Sequence, residues 1–194
     1  MITTEDIKKL RDATGVSVMQ CKKALEEAGG DMDKAVAVLQ KKSKDIAAKK
    51  GDRVFGAGTV ASYIHSNGTV GSLVELVSET DFVSKNQDFV KLAKDIAMHV
   101  AASNPLYIKT SEIGDAEKAK ARELFIEEVK AKPKEMQEKI LEGKLAAYFK
   151  ERVLLDQPFI KNPDLTIAGL IDQAIQKFGE KIEVSRAVRY SVLS

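Results

Sequence analysis

The sequence predicts an α+β protein: a small all-helical module, then a core in which a short antiparallel sheet is covered by helices. Apolar residues recur at helical spacing as far as Leu39. From Thr59 the period changes to two around an Asn67-Gly68 turn signal. Helical stripes then resume and give way to one last alternating run near the C-terminal end.

Thr3 and Asp6 stand at capping-box spacing and Ile2 and Ile7 at staple spacing, so a first helix starts there with Ile7 and Leu10 on one face. Gly15 stops it. Ser17 and Gln20 repeat the capping pattern ahead of Val18, Cys21, Leu25 and Ala28, and Gly29-Gly30 ends that second helix. Asp31 caps a third, striped by Met32, Ala35, Val36 and Leu39. Residues 1–45 form this separable module, and residues 46–58 form a basic, glycine-containing linker. The run 41–50 carries Lys41, Lys42, Lys44, Lys49 and Lys50 against Asp45. It is a solvated helix extension or tether, or alternatively a strip that touches RNA phosphates.

Residues 59–194 make the α+β core. Val60, Ser62 and Ile64 share one face of a strand, and Val70, Ser72, Val74 and Leu76 follow the turn on another. Asn86 caps an amphipathic helix striped by Phe89, Ala93, Ile96, Ala97 and Val100, which Asn104-Pro105 terminates. Residues 115–132 read as a charged helix with Leu124, Phe125 and Val129 inside, and Pro133 and Gly143 divide the next stretch of chain into shorter helical pieces. Thr166 caps a helix striped by Ile167, Leu170, Ile171, Ala174, Ile175 and Phe178 and closed by Gly179. In the final strand Ile182, Val184, Val188, Tyr190 and Val192 make an apolar face that Arg186 interrupts.

Composition narrows the function. Of 194 residues 44% are hydrophobic and 31% charged, which suits a folded globular chain. Thirty-one Lys plus Arg against 29 Asp plus Glu leaves +2, so no general field draws the chain to nucleic acid or to an anionic membrane. Neither partner is expected. The single cysteine, Cys21, makes no intrachain disulfide and suits a reducing compartment. The N-terminus has no apolar signal segment and no run is long enough to span a bilayer, so a cytoplasmic protein is expected, or one of an organellar matrix after removal of a transit peptide.

Chemistry is sparse. His65 and His99 have no second ligand at metal spacing, and no metal is expected. Gly56-Ala57-Gly58 lacks a third glycine and precedes a strand, and no Gly-Lys-Ser/Thr occurs, so neither a nucleotide nor another cofactor is expected in the chain itself. Glu127-Glu128 belongs to a solvated charged face. Without a convergent nucleophile and base the chain is a binding protein, not an enzyme. One segment stands out: Ser78 to Asn86, joining strand to helix, sets a carboxylate beside an aromatic at Asp81-Phe82. Either Phe82 and Val83 both turn inward to start the helix's apolar face, or Asp81-Phe82 is a rigidly held wedge.

Leu10-Arg11-Asp12-Ala13-Thr14-Gly15 with Met19-Gln20-Cys21-Lys22-Lys23-Ala24-Leu25 resembles the N-terminal signature of the translation elongation factor Ts family. Val74-Glu75-Leu76-Val77-Ser78-Glu79-Thr80-Asp81-Phe82-Val83 is similar to that family's Thr-Asp-Phe-Val segment, and the likeness runs on through Tyr63-Ile64-His65, Ala97-Met98-His99-Val100-Ala101 and Leu154-Leu155-Asp156-Gln157-Pro158-Phe159. Val16, Ser17 and Val18 stand where the family usually has Ala-Gly-Met, and Gln20 where it has Asp. The resemblance is to the short forms, with a single core half. It implies a UBA-like first module, a guanine-nucleotide exchange function toward elongation factor Tu, and a wedge of Thr80, Asp81, Phe82 and Val83. It also implies an N-terminal docking surface of Leu10, Arg11, Thr14, Gly15 and Met19. A single core half with an apolar final strand leads us to expect a homodimer, or two copies in the complex.

Overall fold

A computed structural model of the chain describes residues 2–49, 53–130 and 133–192. The architecture is α+β, with three helices followed by a small antiparallel sheet packed against helices. Helices α1 (Thr4–Thr14), α2 (Val18–Glu27) and α3 (Met32–Lys49) come first. The Thr3–Asp6 capping box forms in both directions, and Gly15 closes α1 with φ 68°. The Ser17 hydroxyl accepts from the Gln20 amide at 3.4 Å, and Asp31 accepts from that of Lys34 at 3.0 Å. Leu10, Val16, Cys21, Ala24, Leu25, Ala35 and Leu39 form the apolar centre of these helices, with Ile2 and Ile7 against them.

Helix α3 does not stop where the linker was expected to begin. It runs to Lys49, Ser43 is buried, and Ile46 packs against the main core. Lys50 and Gly51 lie outside the described residues. Helix α3 lies along α8 (Ile167–Phe178), where the Gln176 side-chain amide donates to the Leu39 carbonyl.

Strands β1 (Ala57–Ile64), β2 (Val70–Ser78) and β5 (Ile182–Ser191) form the sheet in the order β1-β2-β5, antiparallel throughout. The one-turn helix α4 (Asp81–Ser84) follows β2, and α5 (Gln87–Ser103) then covers the inner sheet face. Phe89, Ala93, Ile96, Ala97 and Val100 of α5 meet Ala61, Val74, Leu76, Ile182 and Val184 there, with Ile167, Ile171 and Ile175 of α8 completing the core. The cap at Asn86 forms, and α5 ends on Asn104 in a left-handed conformation.

Two strand faces differ from their sequence pattern. The face of β1 holding Val60, Ser62 and Ile64 points away from the helices, while Ala61 lies in the core because small residues there admit α5 closely. In β5 the register against β2 shifts: Glu75 pairs with Arg186 and Leu76 with Val184, so Ser185 is the extra residue of a bulge. Ile182 and Val184 therefore point inward, whereas Val188 and Tyr190 point outward. The expected single apolar face is split between the two sides of the sheet.

Helices α6 (Asp115–Lys130) and α7 (Lys134–Lys150) pack chiefly against each other. Val129 is buried between them, Phe125 meets Tyr148 edge-on at 5.7 Å, and Leu124 is exposed, contrary to expectation, because its side of α6 faces away from α7 and from the core among the described residues. Residues 131 and 132, expected to extend α6, lie outside the described residues. Gly143 does not divide α7, which is continuous: glycine weakens a helix by about 1 kcal/mol but does not break it. Strands β3 (Pro158–Phe159) and β4 (Asn162–Thr166) form a small separate hairpin that sequence periodicity did not reveal, its arms being too short to show a period.

Candidate functional site

The joint between β2 and α5 takes its shape from a single helical turn. Thr80 is extended, and Asp81 to Ser84 coil once, closed by hydrogen bonds from Lys85 N–H to Asp81 O (3.1 Å) and from Asn86 N–H to Val83 O (3.0 Å). Successive residues of a helical turn point about 100° apart. Val83 is consequently driven into the main core at 2% exposure while Phe82 projects at 81%. The two inward-facing candidates thus separate: Val83 anchors the turn, and Phe82 stands in solvent beside Asp81 and Thr80.

Several bonds hold this turn. Thr59 Oγ1 donates to Ser84 O at 2.8 Å and Ser78 Oγ to Thr80 O at 3.0 Å. The Glu79 carboxylate, 7% exposed, accepts from the Lys181 backbone N–H at 2.7 Å and from the Arg53 guanidinium at 2.6 Å. Gly56 is required by proximity, since a Cβ there would sit 2.8 Å from the Glu79 carbonyl oxygen. Lys181 Nζ lies 4.7 Å from the centre of the Phe55 ring. On the outside, Asp81 pairs with Lys85 at 2.7 Å. That hydrogen bond first, and the lysine's charge second, hold the Asp81 carboxyl below its ordinary value of 3.8.

The five N-terminal candidates also divide. Leu10 is fully buried and Thr14 nearly so, its hydroxyl donating to Leu10 O at 2.6 Å; both build the helical module and neither presents a surface. Arg11, Gly15 and Met19 are exposed, and Val18, which is not among the five, is exposed beside Met19. Lys42 of the basic run is ion-paired with Glu27 at 2.7 Å.

A second surface lies on the outer face of the sheet. Cross-strand register aligns Val60 with Glu75 and Arg186, Ser62 with Leu73 and Val188, and Ile64 with Gly71 and Tyr190. The Arg186 guanidinium grips the Glu75 carboxylate at 2.8 and 3.2 Å. Around that pair Val60, Ile64, Leu73, Val188, Tyr190 and Val192 are all exposed, with a shallow groove of about 560 Å³ along the Glu75–Arg186 row. The sequence offered an apolar final strand but not which of its residues face outward, because the Ser185 bulge decides that.

The histidines are set apart from these surfaces by their partners. His65 Nδ1 is 3.2 Å from the Tyr63 hydroxyl at the hairpin end. His99 is fully buried. Gln157 donates its amide nitrogen to Glu151 O at 2.6 Å, which turns its oxygen toward His99 Nε2 at 2.9 Å and places the imidazole proton on Nε2. Nδ1 is then a bare acceptor, and burial holds the His99 pKa below its ordinary 6.5. Among the described residues no group of three His, Cys, Asp or Glu side chains is placed to hold a metal, and no helix is long and apolar enough to cross a membrane. The turn thus presents an exposed aromatic beside an ion-paired carboxylate.

A family model described as Elongation factor TS matches residues 7–193. Elongation factor Ts of Thermodesulfovibrio yellowstonii is 47% identical over 192 residues, covering 98% of this chain and 96% of its own length. Those of Acetivibrio thermocellus and Carboxydothermus hydrogenoformans are each 45% identical, over 192 and 194 residues, and each is covered to 89% of its length.

Proposed function

This chain belongs to the elongation factor Ts family of translation elongation factors, and from that premise we propose that it is a guanine-nucleotide exchange factor. It binds elongation factor Tu carrying GDP, promotes GDP release, and leaves a nucleotide-free complex for GTP to resolve. The observation that carries this reading is Phe82, an aromatic side chain 81% exposed on a turn whose next residue is locked in the core. Asp81 and Phe82 are the wedge, Thr80 and Val83 its mounting, and the exposed Arg11, Gly15, Val18 and Met19 supply N-terminal docking. The role places the protein where translation occurs, in a cytoplasm or an organellar matrix.

Burying a Phe side chain contributes about 1.5–3 kcal/mol, whereas each tenfold loss of GDP affinity requires about 1.4 kcal/mol of coupling. The wedge alone therefore accounts for a factor of roughly ten to a hundred, and docking by the helical module and core must supply the rest. By reciprocity GDP weakens binding of this chain by the same factor. Release of a fluorescent GDP from elongation factor Tu, with and without this chain, tests the function, and an unchanged release rate would refute it.

The same reading includes a second copy of this chain. The exposed sheet face is apolar around one internally neutralised ion pair, so two copies can stack it face to face about a twofold axis without leaving a charge unpaired. Light scattering that finds a monomer, both free and bound to one partner molecule, removes the pairing while leaving exchange intact.

A further inference from the structure

We infer that Glu180 is a positioning residue: its carboxylate, reaching from the turn between α8 and β5, clamps Thr80 and so fixes the direction in which Phe82 projects. This rests on the wedge reading of Phe82. Thr80 occupies the N-cap position of α4, yet its side chain makes no capping bond to that helix. Its hydroxyl donates instead to Glu180 Oε1 at 2.6 Å and its backbone N–H to Glu180 Oε2 at 3.0 Å. One carboxylate thus takes both donors of one residue, and charge-assisted bonds of this kind are the strong ones.

The clamp is assembled by the turn after α8. Gly179, in a left-handed conformation at φ 67°, bends the chain so that Glu180 faces Thr80 and the Lys181 N–H faces the Glu79 carboxylate at 2.7 Å. Residues 79–80 and 180–181 are therefore tied twice, although one hundred positions separate Thr80 from Glu180. The two carboxylates differ in setting. Glu79 is almost buried and belongs to the packing, whereas the Thr80–Glu180 bonds are exposed and the core does not depend on them. Without Glu180 the Thr80 hydroxyl is free to turn back as an ordinary cap of α4, and the segment entering Asp81 gains freedom. That freedom must be lost again whenever Phe82 enters a partner, which slows the step the wedge drives.

The test compares variants for the maximal rate of fluorescent GDP release from elongation factor Tu, the concentration of this chain giving half that rate, and the melting temperature. Glu180→Ala, which removes both exposed bonds, is expected to lower the maximal rate several-fold, with a smaller change in half-saturation and a melting temperature lowered by no more than a few degrees. Glu180→Gln, which keeps one acceptor oxygen, falls between. Thr80→Val slows release in the natural sequence but not on top of Glu180→Ala, since both act through one contact. A wild-type rate for Glu180→Ala beside a slow Phe82→Ala overturns the clamp and leaves the wedge standing. A wild-type rate for Phe82→Ala overturns both. A larger drop in melting temperature with the rate restored on cooling reduces Glu180 to a stabilising contact and also overturns the clamp.

Discussion

Adjacent residues in one helical turn have opposite fates here, and substitution separates them. Phe82→Ala is expected to change folding stability by less than about 0.5 kcal/mol, as exposed sites do, while weakening partner binding and exchange by about 2 kcal/mol or more. Val83→Ala is expected to do the reverse, costing about 1–3 kcal/mol of stability through the cavity it leaves. Unfolding midpoints measured beside GDP-release rates check both, and an early-melting Phe82→Ala that exchanges normally would sink the wedge. Asp81→Ala is expected to slow release more than it weakens binding, because a carboxylate acts there through charge and hydrogen bonding; equal losses would count against that. His99 gives a pH dependence. The buried imidazole resists the proton that the unfolded chain takes up near 6.5, so stability is full above that pH and declines as pH falls below it toward the lower folded-state value. Melting temperatures between pH 7 and about 5 are expected to show this decline. The hydrogen-bonded carboxylates of Asp6, Asp31, Glu75 and Asp88 are all held below their ordinary 3.8 or 4.5 and act only in a lower window. Replacing His99 by Gln is expected to flatten the decline, and an unchanged slope would exclude His99 as its source.

Among elements, the helices were legible and the sheet faces only partly so. Caps at Thr3, Ser17, Asp31, Asn86 and Thr166 lie where side-chain chemistry at fixed offsets put them, because such bonds are local and need no knowledge of the fold. Whether Phe82 faced inward was undecidable locally, since it turns on where one helical turn docks. Likewise Leu10 and Thr14, grouped with the docking residues by family motif, belong to the module's core, a distinction that motif resemblance does not carry. The outer sheet face was hidden by the bulge in β5. Its members are exposed in the single chain, so Tyr190→Lys or Leu73→Lys is expected to leave the melting temperature of a dilute monomer nearly unchanged while abolishing pairing in light scattering. Persistence of a pair in both variants would move the interface elsewhere.

At the scale of the molecule, the helical module and the sheet core meet along α3 and α8, with the Gln176 amide on the Leu39 carbonyl at their seam. Gln176→Ala is expected to cost about 1 kcal/mol and to loosen the seam. Limited proteolysis within residues 41–53 is then faster than in the natural sequence. Uniform protection of that stretch, with cleavage elsewhere in both proteins, would refute residues 1–45 as a separable unit. The bulge at Ser185 has a different kind of consequence. Every side chain beyond it owes its direction to its partner on β2 and not to a count along β5, since β2 fixes the pairing at Leu76–Val184 on one side and Glu75–Arg186 on the other. Deleting Ser185 removes only the extra residue and leaves a regular ladder: Leu76 still faces Val184, Glu75 still faces Arg186, and Val188 and Tyr190 keep the outer face. The bulge is therefore the point at which this strand can lose a residue while the core and the outer face both keep their side chains.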